Sequence, residues 1–353
     1  MARAYLDFNA TAPVRPEAKA AMIAAMDLVG NPSSVHSEGR AAKAAVEKAR
    51  EQVAIAVGCK PVEVIFTGGA TEAAMVLDRL PGNPGVAVQG TAHDCLWAHR
   101  SDSADNASVY AMGLANSETG VIADVPRKVD GAWQVGTQSF EYLLLDVVQA
   151  IGRVPFAFGW SGADMALISA HKFGGPKGVG ALILRQGIDT APLTLGGGHE
   201  MGRRSGTENV VGIAGFGAAI EAAMSDLEQG KWARVEKLRD TLEAAIVAEA
   251  KDTIFVGKDA RRLPNTACFA APGWKGETQV MQLDLAGFAV SAGSACSSGK
   301  VKVSRVLQAM GYDDVTASSA IRVSLGPDTT EDEISRFTDA WLARHEKFRA
   351  RAA

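Results

Sequence analysis

Hydrophobic and polar positions alternate along the chain in two distinct patterns. Residues 38–57 carry apolar side chains at helical spacing and are followed by Gly58, which predicts an amphipathic helix that ends there. Shorter apolar runs have the length of buried strands, and polar residues follow at their carboxyl ends. These runs are VEVIFT at 62–67, VAVQ at 86–89, YLLLD at 142–146, MALIS at 165–169, GALILR at 180–185 and two more near 266–271 and 319–324. The alternation predicts an α/β protein with a mostly parallel central sheet.

The order of these elements indicates two domains. A long helical stretch, 208–251, separates the first block of strands from a C-terminal α+β block. We expect a large domain over 15–226 and a smaller domain formed by 1–14 together with 227–353. Ligands of open α/β sheets bind beyond the carboxyl ends of the strands, so the polar residues there are the first candidates for chemistry.

Composition narrows the classes of function. The chain of 353 residues is 47% hydrophobic and 22% charged, as in soluble globular proteins. Its net charge of -4 and lack of a basic run argue against a nucleic-acid partner. Residues 1–20 show no charged segment followed by an apolar one, and the sequence has no run of about 18 apolar residues. We therefore expect a cytoplasmic protein that binds no membrane. The four cysteines are widely spaced, which predicts reduced thiols, and we expect no metal site.

The strongest chemical signal is Lys172, which follows the strand MALIS in the sequence Ser169-Ala170-His171-Lys172. A lysine at the end of a strand is suited to form a Schiff base, because partial burial lowers its pKa and exposes a neutral amine. Taken alone, a lysine at this position is more often a surface residue.

Two further features strengthen the signal from Lys172. Asp146 closes the strand YLLLD, where a buried carboxylate would keep a pyridine nitrogen protonated, although it could also simply cap a following helix. The Gly68–Thr71 segment opens another helix with small residues, which lets backbone N–H groups approach a phosphate.

These features belong to a longer series of ordered motifs that resembles the class V family of fold-type I pyridoxal-phosphate (PLP) enzymes, and within it the cysteine desulfurases. The matching motifs are YLDFNATAP at 5–13, NPSSVH at 31–36, TGGATE at 67–72, NSETG at 116–120, DVVQ at 146–149, SAHK at 169–172, GGGHE at 196–200, RSGTEN at 204–209, SACSSG at 294–299 and AIRVSLG at 320–326. They cover nearly the whole chain, which makes the resemblance specific.

The resemblance implies roles for individual residues. Lys172 would form the Schiff base with PLP, Asp146 would pair with the pyridine nitrogen, Gln149 would bond the ring hydroxyl, and His93 would stack on the ring.

The phosphate would be held by Ala70, Thr71, Ser169, His171 and, from the second subunit of a homodimer, Thr207. The carboxylate of the substrate would be bound by Arg322, Asn116 and Asn31. A guanidinium is physically suited to this task, because its planar fork matches a carboxylate.

The resemblance also implies the reaction. L-cysteine would be converted to L-alanine, with the sulfur transferred to Cys296 as a persulfide and then to an acceptor, such as an iron–sulfur scaffold protein. His93 would donate a proton near the departing sulfur. Cys296 lies in a run of small and polar residues, 291–299, that is typical of an exposed loop rather than a core segment. The other three cysteines match no catalytic position, and we expect them to be packing residues.

Two alternatives stay open at this point. A selenocysteine lyase or another class V aminotransferase would keep Lys172 and Asp146, although an aminotransferase would not need Cys296. A catalytically silent binding protein with this fold is favoured only by the short stretch between His93 and Asn116, since the residues of the site are intact.

Overall fold

The computed structural model describes residues 3–103, 107–293 and 303–352. The strands in this part of the chain are β1 (Ala4–Tyr5), β2 (Val64–Thr67), β3 (Gly85–Val88), β4 (Ala107–Gly113), β5 (Arg127–Val129), β6 (Ala132–Val135), β7 (Gln138–Phe140), β8 (Tyr142–Asp146), β9 (Met165–Ser169), β10 (Gly180–Leu184), β11 (Ile254–Phe255), β12 (Thr266–Ala270), β13 (Phe288–Ala289), β14 (Ser291–Ala292) and β15 (Ala320–Ser324). The helices are α1 (Pro16–Met26), α2 (Ser37–Val57), α3 (Ala70–Ala74), α4 (Asp94–Trp97), α5 (Phe158–Ser161), α6 (Val210–Glu228), α7 (Lys231–Glu249), α8 (Gly276–Leu285), α9 (Arg305–Ala309), α10 (Asp314–Ser319) and α11 (Glu331–Ala352).

The chain divides into two compact units. The large unit comprises Ala12–Leu114 and Ala123–Leu227. The small unit comprises Met1–Thr11, Ala115–Ile122 and Glu228–Ala353, so a short excursion of the chain between two parts of the large unit belongs to the small one. Nothing in the sequence pattern marks that excursion.

A six-stranded sheet organises the large unit, with the strand order β2-β10-β9-β8-β4-β3. The pairs β3–β4, β4–β8 and β8–β9 are parallel, whereas β10 runs antiparallel to both of its neighbours. The inner strands β8, β9 and β10 are almost entirely buried, which explains why they appear in the sequence as continuous apolar runs. The prediction of an α/β protein with a mostly parallel central sheet is confirmed.

Helix α6 contributes to the core of the large unit. By length and composition it could cross a membrane, but half of its apolar stretch is buried within the protein. Its Phe216 is fully buried and meets the rings of Phe66 and Phe173 at centroid distances of 5.9 and 5.7 Å. Packing of this kind accounts for the apolar character of the helix.

The small unit contains a four-stranded sheet with the order β11-β12-β15-β14. In this sheet Arg322 on β15 lies opposite Cys268 on one side and Ser291 on the other. The N-terminal segment runs beside β15, where Asp7 forms a parallel bridge with Ser324. The register therefore brings residues from three distant parts of the sequence to one place.

Several predicted boundaries need correction. The expected strand at 62–67 begins only at Val64, because Pro61–Glu63 form a 3-10 turn. The long helical stretch 208–251 is two helices, since Gly230 adopts a left-handed conformation between them. Helix α2, by contrast, ends at Gly58 as predicted, with that glycine in the left-handed conformation.

Candidate functional site

The register of the large sheet gathers the carboxyl ends of β2, β3, β4, β8 and β9 and the amino end of the antiparallel β10 at one end of the sheet. Gly180 on β10 pairs with both Thr67 and Ser169, so the ends of β2 and β9 flank the same residue. On the other side of β9, Asp146 at the end of β8 pairs with Leu167. The segments that follow these three strands carry most of the residues predicted to bind the cofactor, and they are brought together here.

Asp146 is the buried carboxylate at this end of the sheet. Its exposed fraction is 9%, and its Oδ1 accepts a hydrogen bond from the Val148 N–H over 3.0 Å. Burial raises the pKa of the Asp146 carboxyl, against the opposing effects of the His93 charge, the Val148 N–H and the Lys172 charge. The alternative that Asp146 caps a helix is wrong, because the next described helix begins only at Phe158.

Lys172 ends a single 3-10 turn, Ala170–Lys172, that follows β9 directly. Its side chain is partly buried, and its positive charge acts on Asp146. The neighbouring His171 is also partly buried, and burial together with the charges of Lys172 and Lys177 lowers its pKa to about 4. His171 is therefore neutral at neutral pH in the protein alone.

Gln149 lies three residues beyond Asp146 and is 3% exposed. The guanidinium of Arg153 donates from Nη1 to the side-chain oxygen of Gln149. Its Nη2 donates to the backbone carbonyl of Lys172 over 2.9 Å. Arg153, itself buried, thus ties the amide side chain to the turn that presents the lysine.

The glycine-rich segment after β2 forms a cradle beside Ser169. Gly69 has φ 149°, a conformation that side-chain-bearing residues rarely adopt, and a Cβ built on it would lie 3.9 Å from the Ser169 hydroxyl oxygen. At Gly180 a Cβ would come within 2.8 Å of the Gly69 Cα, so the two backbones meet closely. Ala70 and Thr71 then open α3, and Thr71 is exposed at its start. A phosphate fits such a setting of small residues and a helix start.

His93 stands immediately before α4, where its Nδ1 accepts a hydrogen bond from the Cys95 N–H over 3.1 Å. This bond makes Nδ1 the acceptor of the ring and leaves Nε2 as the nitrogen that carries the proton in the neutral form. The charge of His93 acts on Asp146, so the two residues face the same region.

The predicted carboxylate-binding residues Arg322 and Asn116 both lie in the small unit. Arg322 is 5% exposed and donates from Nη1 to the Ser117 carbonyl over 2.9 Å and from Nη2 to Asp7 Oδ1 over 2.7 Å. Its Nε is buried and has no acceptor among the described residues. A buried guanidinium donor without an acceptor is costly, which indicates a place for an anionic ligand.

Asn116 organises the tight turn that follows β4. Its Oδ1 accepts hydrogen bonds from the Glu118 N–H, the Thr119 N–H and the Thr119 hydroxyl, at 2.9, 2.9 and 3.1 Å. Ser117, whose carbonyl receives Arg322, lies in the same turn. The turn therefore holds the arginine in place, and any contact between Asn116 and a carboxylate is made by the Nδ2 donor.

Two more of the predicted site residues are exposed, as Thr71 is. Asn31 is exposed and its Oδ1 caps the Ser33 N–H at 2.9 Å. Thr207 is also exposed. Cys296 lies outside the described residues.

The other cysteines are free thiols in poor environments for a nucleophile. Burial, aided by the Glu63 charge, raises the pKa of Cys59 to about 12. Burial likewise raises the pKa of Cys268 to about 12 and shifts that of Cys95 upward. Since the thiolate is the reactive form, these residues are suited to packing rather than to catalysis.

Sequence reasoning gave no role to Arg153, Asp7 or Glu118, although the structure places each in contact with predicted site residues or their neighbours. Asp7 and Glu118 lie inside two of the recognised motifs, YLDFNATAP and NSETG, so the sequence did offer a signal for both. Arg153 lies in an irregular turn, and no pattern in the sequence indicated its contacts.

The chain matches the family model described as aminotransferase class-V over residues 4–82 and 93–337. A cysteine desulfurase from Cereibacter sphaeroides is 38% identical over 374 residues, which cover 96% of this chain and 95% of the relative. An IscS-like cysteine desulfurase from Mycobacterium tuberculosis is 35% identical and covers 94% of this chain and 93% of its own length.

Among solved structures, a NifS-like protein from Rickettsia africae superposes with a TM-score of 0.85 at 29% sequence identity. The match covers 98% of this chain and 99% of that protein. The fold of this chain is thus the fold-type I architecture, with both units included in the match.

Proposed function

The chain belongs to the class-V aminotransferase family, and from this premise we propose that it is a PLP-dependent cysteine desulfurase that holds the released sulfur on Cys296. The observation that carries the proposal is the buried Asp146 carboxylate at a strand end, under the charges of Lys172 and His93. A buried carboxylate of this kind can pair with the pyridine nitrogen of PLP and keep that nitrogen protonated.

The residues of the large unit fit PLP. Lys172 would be the attachment point, Asp146 would pair with the ring nitrogen, Gln149 would bond the ring hydroxyl and His93 would cover the ring face. The small-residue cradle at Gly69 and Ser169 admits the phosphate, with Ala70, Thr71 and His171 as further ligands. When bound, PLP supplies the electron-withdrawing ring that stabilises negative charge at the substrate Cα.

The small unit supplies recognition of the substrate carboxylate. Arg322 offers the buried Nε donor, and the turn at Asn116 fixes its Nη1. Because the guanidinium is held by two acceptors, it loses little freedom when a carboxylate arrives. Asn116 would complete this contact through its amide group, whereas a role for Asn31 rests on the resemblance alone.

The chain's own groups then move the protons and the sulfur. Nζ of Lys172 removes the proton from Cα of cysteine. The Cys296 thiolate attacks the substrate sulfur, so that the substrate C–S bond breaks while an S–S bond forms on Cys296. The electron pair of the broken C–S bond stays on Cβ, which takes up a proton supplied by His93 Nε2. Lys172 Nζ returns a proton to Cα, and L-alanine leaves. The raised pKa values of Cys59, Cys95 and Cys268 support the choice of Cys296, since none of those three thiols ionises readily.

We further propose a cytoplasmic homodimer that passes its sulfur to an acceptor protein such as an iron–sulfur scaffold. A residue that contacts the PLP phosphate of the second subunit has to lie at the surface, and Thr207 is exposed. On the same stretch of chain, Leu195 is 84% and Met201 49% exposed, which favours a partner surface there.

The test is a short reaction of purified, PLP-loaded protein with L-cysteine, followed by measurement of alanine and by mass spectrometry of each cysteine. We expect equal amounts of alanine and of a reducible added sulfur on Cys296. Cys296→Ser should load PLP and still bind cysteine, yet release almost no sulfur. Lys172→Ala should lose both the turnover and the absorbance band of the attached cofactor.

Matched variants separate the alternatives. Cys59→Ser should behave as wild type, because that thiol is partly buried and its pKa is raised to about 12. Turnover confined to selenocysteine would identify a selenocysteine lyase instead, and normal sulfide release from Cys296→Ser would overturn the assignment of the sulfur acceptor. A protein that binds PLP but converts neither amino acid would be the silent binding protein.

A further inference from the structure

The guanidinium of Arg322 is held by two acceptors from different parts of the small unit. Its Nη2 donates to Asp7 Oδ1 over 2.7 Å, and its Nη1 donates to the Ser117 carbonyl over 2.9 Å. Asp7 belongs to the N-terminal segment, and Ser117 belongs to the excursion Ala115–Ile122. The Nε donor is buried and has no acceptor among the described residues. The contacts of the two terminal nitrogens therefore decide where this remaining donor lies.

Asp7 is itself fixed by its neighbours in the same unit. The Ser291 hydroxyl donates to the Asp7 carboxylate, and its oxygen lies 2.9 Å from both carboxylate oxygens. The backbone of Asp7 runs beside β15 in a parallel bridge with Ser324. Ser291 on β14 also lies opposite Arg322 in the sheet. The carboxylate and the guanidinium are thus both attached to paired strands.

The ion pair between Asp7 and Arg322 is largely removed from water. The side chain of Arg322 is 7% exposed and that of Asp7 is 16% exposed. Such a pair is screened less than an exposed one, and removal of one partner leaves the other charge without compensation. Of the two acceptors that hold Arg322, only Asp7 carries a charge. Its bond to the guanidinium is therefore the stronger of the two.

We propose that Asp7 is a positioning residue for substrate recognition, because it holds Arg322 so that Nε stays available to the carboxylate of an amino acid. This inference rests on the proposed role of Arg322 in binding the substrate carboxylate. A guanidinium that is already fixed loses little freedom when a ligand binds, so Asp7 raises the affinity without touching the ligand. The effect is confined to ligands that carry a carboxylate.

Asp7 also has an opposite effect, and the sign of the result separates the two. Its negative charge repels the carboxylate of a ligand, which by itself would weaken binding. Orientation of Arg322 strengthens binding instead. Removal of Asp7 should therefore weaken the binding of a carboxylate ligand if orientation is the larger effect, and should tighten it if repulsion is.

The experiment measures the binding of two probes from the absorbance of the PLP-loaded protein. L-alanine is the product of the proposed reaction, and ethylamine is the same molecule without its carboxylate group. We expect Asp7→Ala to bind L-alanine about tenfold more weakly and to raise the KM for cysteine to a similar extent. Its kcat and its affinity for ethylamine should stay within about twofold of wild type. Asp7→Asn keeps an acceptor oxygen for Nη2 and should bind L-alanine within about threefold of wild type.

A double variant tests whether Asp7 acts through the arginine. Arg322→Ala alone should weaken the binding of L-alanine, and the further change Asp7→Ala should then have no additional effect, because the two residues share one interaction. Ser291→Ala removes the hydroxyl that donates to Asp7 and should weaken L-alanine binding about threefold. This variant provides the test where Asp7→Ala does not fold.

Glu243→Ala is the matched control. It removes the carboxylate of another ion pair in the same unit, in which Glu243 lies 2.7 Å from Arg262 and both side chains are less exposed than that of Asp7. We expect this variant to bind L-alanine and ethylamine as the wild type does. A general loss of stability in the small unit would affect it as well.

Equal weakening of L-alanine and ethylamine binding in Asp7→Ala would overturn the inference, since it would indicate a general defect of the site. So would L-alanine binding as tight as in the wild type, or tighter, in Asp7→Ala or, where that variant does not fold, in Ser291→Ala. Unchanged binding of L-alanine to Arg322→Ala would instead overturn the proposed role of the arginine, and this inference with it.

Discussion

Arg153 donates from Nη2 to the backbone carbonyl of Lys172 over 2.9 Å. Its other terminal nitrogen bonds the side chain of Gln149, so one buried guanidinium connects two residues of the proposed cofactor site. Lys172, the proposed attachment point of PLP, and Gln149, the proposed partner of the ring hydroxyl, are therefore not placed independently.

Replacement of Arg153 by methionine keeps the apolar stem but removes these hydrogen bonds. We expect PLP to dissociate at least about tenfold more readily, because lost bonds to a charged group are each worth roughly 1.5–3 kcal/mol. Spectroscopic titration of the stripped protein with PLP measures this. Arg185→Met is the matched control, since Arg185 also bonds a backbone carbonyl, that of Ala163, and it should bind PLP normally.

Asp146→Asn should fold but lose catalysis. The neutral amide no longer favours a protonated ring nitrogen, and we expect kcat/KM to fall by about a hundredfold or more, or roughly 2.7 kcal/mol. Steady-state kinetics with cysteine measures the effect. Unchanged kinetics would mean that Asp146 serves only to hold the turn at Val148.

The same variant should reveal the cost of burying Asp146. Its pKa is raised above the ordinary 3.8 by burial, so the folded protein without PLP holds the proton more tightly than the unfolded chain does. Stability from this group is present at low pH and is lost as pH rises through the raised pKa. Thermal melts of PLP-free wild type should therefore decline relative to those of Asp146→Asn from acidic to neutral pH, and parallel curves would contradict this.

His171 should make the PLP-free protein sensitive to acid. Its pKa is lowered to about 4 in the folded state from 6.5, so the unfolded chain takes up a proton first as pH falls. Stability is lost between these two values, and His171→Gln should lack that part of the loss. NMR titration of the imidazole provides an independent measurement, and PLP should raise this pKa, because its phosphate brings negative charge.

Arg322→Ala should weaken cysteine binding more than it slows the chemistry. A charge-assisted contact to the carboxylate is lost, worth roughly 1.5–3 kcal/mol, which corresponds to an increase in KM of about tenfold to a hundredfold. Arg262→Ala removes another arginine of the same unit, whose side chain is 6% exposed, and should leave KM unchanged. If both variants had the same KM as wild type, another residue would have to bind the carboxylate.

The sequence by itself determined the fold class, the order of most elements and the family. Buried parallel strands need continuous apolar runs, and polar residues at their carboxyl ends mark the end of the sheet where ligands bind. The strands and the place of the site can therefore both be predicted from the linear pattern. A glycine such as Gly58 also marks the end of a helix in the sequence, because few other residues adopt the left-handed conformation. The roles assigned to individual residues stay predictions. So do the domain boundaries near 14 and 226; the compact units of the structure change at residues 11 and 227, and the small unit also includes 115–122.

Only the tertiary structure decided which groups meet. The contacts of Arg153 with Lys172, of Asp7 with Arg322 and of Glu118 with Ser304 join residues separated by 19, 315 and 186 positions. Strand register and turn geometry create these pairs, and no local spacing encodes them. The pKa shifts of Asp146 and His171 likewise arise from burial and from neighbouring charges, which exist only once the chain has folded.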